Sequence, residues 1–304
     1  MFTDNQIFAA PMAGITDKPF RRMIRMFSPN VPMVTEMISC HSLVGAHKNC
    51  LRNFDNYADE GNVGAQIFGA DVALMADAAR ILQDQGAKWI DINMGCPVPK
   101  VATRAGAGAH LMQDHVLAGK IIDAIVRAVQ IPVSIKTRLG WDSNHIDWQH
   151  LIHVAAESGA KFAALHGRTR AQLYVGSAEL PEIINSPIPI IANGDIKSAD
   201  DVRHAKKLGY SGAMIGREML GKPWVFSSIM ENKTPENIGQ LVLQHLEYAL
   251  EYYGEKTAVP MFRKHVAWYS AGMKDATHFR MKINQILDSD VLKVAIREFW
   301  SIIE

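Results

Sequence analysis

The chain is short of cysteine, has no surplus of charge of either sign and contains no long apolar run. Each shortage closes off a class of protein. Cys40, Cys50 and Cys96 are the three cysteines in 304 residues. An odd number with no CxxC pair excludes a disulfide framework and a structural zinc site, and it fits a reducing compartment. The formal net charge is +1, so the total neither calls for a nucleic-acid partner nor rules one out, because a local patch can sit inside a neutral sum. No apolar run reaches the roughly 18 residues of a membrane span, and Met1–Gln6 has no basic stretch leading into an apolar core. The expectation is a cytoplasmic chain with no membrane contact and no metal. There is no metal-ligand cluster, nucleophile elbow or Walker loop, and no GxGxxG follows the first apolar run.

What is present is an ordinary core-forming composition, 48% hydrophobic and 21% charged, sufficient for one large domain and a small one. Short β-rich runs end near Pro11, Glu36, Gln66, Asn93, Lys136, His166, Asn193 and Gly216. Helix-like stretches lie between them, among them Val72–Gln85, Val116–Val129, Leu151–Ser158 and Ala199–Leu208. Eight such units are the number that closes a parallel (β/α)8 barrel, and the missing GxGxxG disfavours a doubly wound sheet. The rhythm stops after Ile229, and Glu231–Gln240 has the composition of a linker. The reading is an α/β chain, a TIM barrel over 1–235 followed by a small all-helical domain over 236–304. Within the latter, Lys256–Lys282 holds six Lys or Arg against one acid, a net +5 interleaved with Phe262, Trp268, Tyr269 and Phe279. That window is either a solvated face over a buried aromatic stripe or a phosphate-binding patch.

In such barrels the chemistry lies at the C-terminal strand ends. Asn193-Gly194-Asp195 and Gly216-Arg217 end the last two predicted strands, where loop N–H groups commonly hold a phosphate. Lys136 shares a side with Ser134 at the mouth and wants an anion, either a carboxylate neighbour or the negative edge of a reduced flavin. Cys96 sits between Gly95 and Pro97 on a turn after Asn93. It is either a small buried hydrophobe or a proton donor or nucleophile. His166 is a core histidine or a cofactor or substrate contact. Cys40 and Cys50 read as structural or incidental.

The segments Ala10-Pro11-Met12-Ala13-Gly14-Ile15-Thr16-Asp17, Gln66 in GAQIFG, Asn93-Met94-Gly95-Cys96-Pro97, Lys136-Thr137-Arg138, His166-Gly167-Arg168-Thr169, Asn193-Gly194-Asp195 and Ile215-Gly216-Arg217 together resemble the tRNA-dihydrouridine synthases, especially the bacterial B-type branch. They span residues 10–217 in the family's order. The last helical segment is similar mainly through Arg263-Lys264-His265 and Trp268-Tyr269. Val98-Pro99-Lys100-Val101 and Thr103-Arg104 depart from the usual pattern and bear on loop detail and branch.

The resemblance implies tightly bound FMN on Pro11, Met12 and Ala13, with Gln66 and Lys136 at the polar ring edge. Asn193, Gly194, Asp195, Gly216 and Arg217 would surround the phosphate, joined by His166. It implies NADPH, or NADH, as reductant and tRNA as partner. Hydride would pass to uracil C6 and a proton from Cys96 to C5, with Asn93, Arg138 and Arg168 contacting substrate and the helical domain recognising tRNA. No protein partner is implied, and a monomer is expected. Two rivals remain, an FMN barrel oxidoreductase acting on a free pyrimidine or dihydroorotate, and a non-catalytic tRNA-binding protein. The first would turn over a free pyrimidine and ignore tRNA, and the second would bind tRNA without being yellow.

Overall fold

The computed structural model describes residues 6–45, 60–103 and 105–301, so Cys50 and Arg104 lie outside the described residues. By packing, the chain divides into two compact units, Met1–Asp17 with Asn30–Gly216, and Lys18–Pro29 with Arg217–Glu304. The packing boundary thus falls at Gly216–Arg217, upstream of the linker-like stretch, and an early segment groups with the late one.

The first unit is built on strands β1 (Gln6–Ala9), β2 (Met33–Val34), β3 (Val63–Phe68), β4 (Ile90–Met94), β5 (Val133–Arg138), β6 (Phe162–His166), β7 (Ile190–Asn193) and β8 (Gly212–Ile215). Each pairs in parallel with the next, and β8 closes on β1 in the register Gln6↔Gly212 to Ala9↔Ile215. This is the eight-stranded parallel barrel expected from the rhythm, and every strand ends within two residues of its predicted end. Ile38–Ser39 forms a further parallel rung on Ile67–Phe68, so the second strand is split around Glu36. The helices are α1 (Lys18–Phe27), α2 (Cys40–Val44), α3 (Val72–Asp84), α4 (Pro99–Ala102), α5 (His115–Ala128), α6 (Trp148–Glu157), α7 (Ala199–Lys207), α8 (Val225–Glu231), α9 (Ile238–Tyr253), α10 (Glu255–Tyr269), α11 (Ala276–Ile283) and α12 (Ser289–Ser301). Among the described residues, no helix is long and apolar enough to cross a membrane.

Side chains along a strand alternate between its two faces, and the inward parity grades from apolar to polar. Phe8, Val34, Trp89, Phe162, Ile191 and Met214 form a buried cluster. The Phe162 ring lies 5.9 Å from Phe8 and 6.4 Å from Trp89. β1 and β6 are not sheet neighbours, so the Phe8 contact crosses the barrel interior. Trp89 fits because Gly64 on the adjacent strand has no side chain: a Cβ there would stand 2.0 Å from the indole. Gly64→Ala therefore overpacks the barrel, with an expected loss of about 1–3 kcal/mol or more and a melting point lower by several degrees. Thermal unfolding checks this, and an unchanged midpoint would refute it.

Two residues further along the same parity the inward groups turn polar, to Gln66, Asp91, Asn93, Ser134, Lys136, Arg138, His166 and Asn193. All of these are buried except the half-buried Lys136. The barrel is a hydrophobic plug capped by a hydrogen-bonding layer at the C-terminal strand ends.

In the second unit α1 packs against α8, α9 and α10. Its Phe20, Met23 and Ile24 are fully buried, and Phe20 lies 5.7 Å from the His245 ring and 5.8 Å from the His265 ring. The rest of the core is drawn from α9 to α12 and includes Val242, Leu246, Phe262, Val266, Phe279, Ile296 and Trp300. The two buried histidine rings are 4.6 Å apart, and Tyr269 Oη lies 3.3 Å from His245 Nδ1. Burial pushes His245 down to about 3 and His265 well below its ordinary value, with the Lys264 charge acting in the same direction. The basic window resolves into two parts. Phe262, Tyr269 and Phe279 are core, whereas Lys256 and Lys274 are exposed. Arg263 donates to Ile286 O at 2.7 Å, and Lys282 pairs with Glu298 at 2.9 Å.

Candidate active site

The turn that carries Cys96 follows directly from Asn93 at the end of β4. Asn93 Oδ1 accepts from Gly95 N at 3.2 Å and from Cys96 N at 2.9 Å, an Asx-type turn that satisfies two loop amides with one side chain. The turn is held from two more directions. Arg138 Nε donates to Gly95 O at 2.8 Å, and Ala109 N donates to Cys96 O at 3.1 Å. Cys96 is half-buried. Burial pushes its thiol up, against the opposing pull of the Val98 amide and the Arg138 and Lys136 charges. The thiol is therefore protonated at neutral pH, the form that can give a proton. Cys40, by contrast, is buried at the start of α2 and pushed up to about 11 by that burial.

Lys136 Nζ donates to Asn193 Oδ1 at 2.8 Å, and Asn193 Nδ2 donates to Met214 O at 2.9 Å. The ammonium is thus held by a neutral amide, and no ion pair to it occurs among the described residues. Burial, helped by the Arg138 charge and opposed by Asp91 and Cys96, lowers Lys136 to about 8. A half-buried cation with a neutral partner suits an anionic ligand edge.

Arg138 and Arg168, read from sequence as substrate contacts, are 3% and 1% exposed, and their guanidinia are engaged by protein groups. Arg138 Nη1 reaches Thr169 O at 3.0 Å and Leu173 O at 2.8 Å. Arg168 Nη2 reaches Gly176 O and Asp195 Oδ2, each at 2.6 Å. Arg168 Nη1 lies 3.2 Å from His166 Nε2. Since a guanidinium only donates, Nε2 accepts and the ring hydrogen of His166 sits on Nδ1. Asp195 Oδ2 also accepts from Ala178 N at 2.8 Å. These arginines tie the loops after β4 and β6 to the ends of β5 and β7, so sequence position placed them at the mouth without showing their partners.

Gly194 has φ +117°, and a Cβ there would stand 2.6 Å from Ala178 Cβ and 2.9 Å from His166 Cδ2; only glycine fits this turn beside the histidine. Gly216 ends the β8 side of the same rim and faces more open space, with Ala10 Cβ and Met12 Sδ 3.8 Å from where a Cβ would be. Pro11 and Met12 are half-buried and Ala13 exposed after β1, in a turn closed by Ile15 and Thr16 amides donating to Met12 O at 3.0 Å. Arg217 opens a 3-10 turn, Arg217–Met219, in the second unit.

Two residues that the sequence reading did not assign to the site complete the polar layer. Asp91 accepts from Gln66 Nε2 at 2.6 Å and from Ser134 Oγ at 2.5 Å, and Gln66 Oε1 accepts from Asn93 Nδ2 at 2.8 Å. The signal was available: Asp91 is an acid between two isoleucines in a strand buried on both faces, and such a charge requires partners.

Residues 8–301 match the model of the dihydrouridine synthase family. A probable tRNA-dihydrouridine synthase of Rickettsia conorii is 37% identical over 98% of this chain and 94% of its own length. tRNA-dihydrouridine synthase B of Pseudomonas aeruginosa is 38% identical over 98% and 93%, and that of Vibrio vulnificus 37% over 97% and 95%.

Proposed function

The chain belongs to the dihydrouridine synthase family, on its bacterial B-type-like side, and from that premise we propose that it reduces the C5=C6 bond of uridine in tRNA, using FMN and NADPH. The observation that carries the reading is the half-buried Cys96 thiol, held by its turn on the polar rim that also bears Lys136 and Asn193.

The residues present fit the flavin nucleotide. Lys136 and Gln66 supply a cation and an amide for a polar ring edge that becomes negative. Gly216 leaves bare backbone for a phosphate, with the backbones of Asn193, Gly194 and Asp195 at the neighbouring strand end and Arg217 next in the chain. His166, at the neighbouring strand end, joins the same group, and Pro11, Met12 and Ala13 offer an apolar floor. Bound FMN, once reduced by NADPH, supplies the hydride for C6.

The protein's own task is the other half of the addition. As hydride reaches C6, the π pair moves to C5 and charge builds toward the C4 carbonyl; the S–H bond of Cys96 then breaks, its proton goes to C5, and a thiolate remains. Arg138 and Lys136 both favour that thiolate electrostatically, so the donor is protonated before the step and its anion is stabilised after it. The target uridine must leave its stack to reach a barrel mouth. The exposed Lys256 and Lys274 of the helical unit suit contact with RNA backbone.

The test is mass-spectrometric mapping of dihydrouridine in tRNA from a strain lacking the gene, followed by addition of the purified protein with FMN and NADPH. Loss of particular positions and their restoration are expected. Unchanged tRNA that the protein cannot modify in vitro, with turnover of a free pyrimidine, would overturn the reading.

A further inference from the structure

Asp91 has no part in the chemistry above, yet it is a carboxylate sealed inside the barrel. It is 2% exposed, between Gln66 at 1% and Ser134 at 0%. The three share one rung of the sheet, Gln66↔Asp91 and Asp91↔Ser134. A charge in that place is costly unless its acceptor sites are filled. Burial pushes the Asp91 carboxyl up, and the hydrogen bonds from Gln66 and Ser134 and the Lys136 charge in the next layer oppose that shift and favour the carboxylate.

The hydrogen-bond polarity then runs in one direction. A carboxylate only accepts, so the Gln66 amide must turn its NH2 toward Asp91 and its oxygen toward Asn93. Asn93 must in turn present its NH2 to Gln66 Oε1, at 2.8 Å, which leaves Oδ1 for the amides of Gly95 and Cys96. If Gln66 flipped, two NH2 groups would face each other and Asn93 Nδ2 would lose the acceptor that fixes its orientation. The sense of every link is set by the acid at its head.

We propose that Asp91 is the positioning residue for Cys96, acting through Gln66 and Asn93 to fix the turn that holds the thiol. The idea rests on the reading of Cys96 as the proton donor.

The two can be separated by experiment on the flavin-loaded protein. Asp91→Asn keeps an acceptor toward Gln66 if its NH2 turns to Ser134 Oγ, whereas Asp91→Leu removes the acceptor. The readouts are kcat, KM for tRNA, and the iodoacetamide alkylation rate of Cys96 by peptide mass spectrometry. Asp91→Asn should stay within about threefold of the parent, while Asp91→Leu loses about 10–100-fold in kcat with KM within about twofold. Cys96 alkylation should change severalfold in Asp91→Leu and not in Asp91→Asn. Parental kcat and alkylation in Asp91→Leu would overturn the proposal, and so would an equal loss in both variants, which would assign the effect to charge. If Asp91→Leu fails to fold, Asp91→Asn combined with Ser134→Ala unpins the asparagine. A loss well beyond the product of the single effects is expected, and simple additivity overturns the idea. If Cys96→Ala keeps full turnover, the proton-donor reading fails by itself, and the alkylation rates alone decide whether Asp91 sets the turn.

Discussion

Cys96→Ala will give a yellow protein that binds tRNA with parental affinity and forms dihydrouridine about 10²–10⁴-fold more slowly, the usual contribution of a placed general acid. Binding should survive because the turn is held through backbone atoms, Cys96 N to Asn93 Oδ1 and Cys96 O to Ala109 N, which alanine retains. The loss should lie in kcat, since the thiol acts only as charge develops on the uracil. Single-turnover rates with flavin absorbance and tRNA binding measured on the same sample make the check. Colourless protein would reassign Cys96 to holding the fold, and undiminished turnover would remove it from the chemistry.

Mild acid will destabilise the helical unit. His245 and His265 are neutral in the fold because burial penalises their charged forms, and in the unfolded chain both return to the ordinary value of 6.5. The folded values are depressed, so this stability is complete above pH 6.5 and is lost as pH falls from there toward the folded values. Each histidine contributes a slope approaching 1.4 kcal/mol per pH unit, and the pair together remove about 3 kcal/mol between pH 6.5 and pH 5. His265→Leu should roughly halve the histidine part of that slope. It should cost little at pH 7, because His265 Nδ1 is buried without a hydrogen-bond partner among the described residues. Denaturant unfolding at several pH values tests this. Equal slopes in parent and variant would show that carboxylates, and not this pair, govern the acid limb.

The barrel was legible in the sequence because each strand is a short β-rich run with a hard polar stop, and because inward parity is a local property. Pro11, Lys136, His166 and Asn193 fell at strand ends for that reason. The split second strand was less legible: Glu36 looked like an end but lies in the gap between Val34 and Ile38. The arginines show where local reading stops. Arg138 and Arg168 have the right type and place for substrate, yet their partners are protein groups, the carbonyls of Gly95, Thr169, Leu173 and Gly176 together with Asp195 and His166, and no spacing rule predicts which loop carbonyl turns inward. The aromatics of Lys256–Lys282 had two readings, and burial of Phe262, Tyr269 and Phe279 places these three in the core. α1 was invisible as a member of the helical unit because its apolar stripe fits any helix flanking a barrel, and its actual partners are more than 200 residues away in sequence.

That last pairing imposes an order of events during synthesis. Phe20, Met23 and Ile24 leave the ribosome early, but the helices that bury them begin after Gly216. At roughly 5–20 residues per second the intervening chain takes on the order of 10–40 s to appear. Throughout that interval the nascent chain carries a helix whose apolar stripe lacks its own core. A fragment starting at Arg217 has the complementary defect, lacking Phe20 between its two buried histidines. Truncations intended to isolate the helical unit should therefore carry residues 18–29 with them, in cis or as a separate peptide.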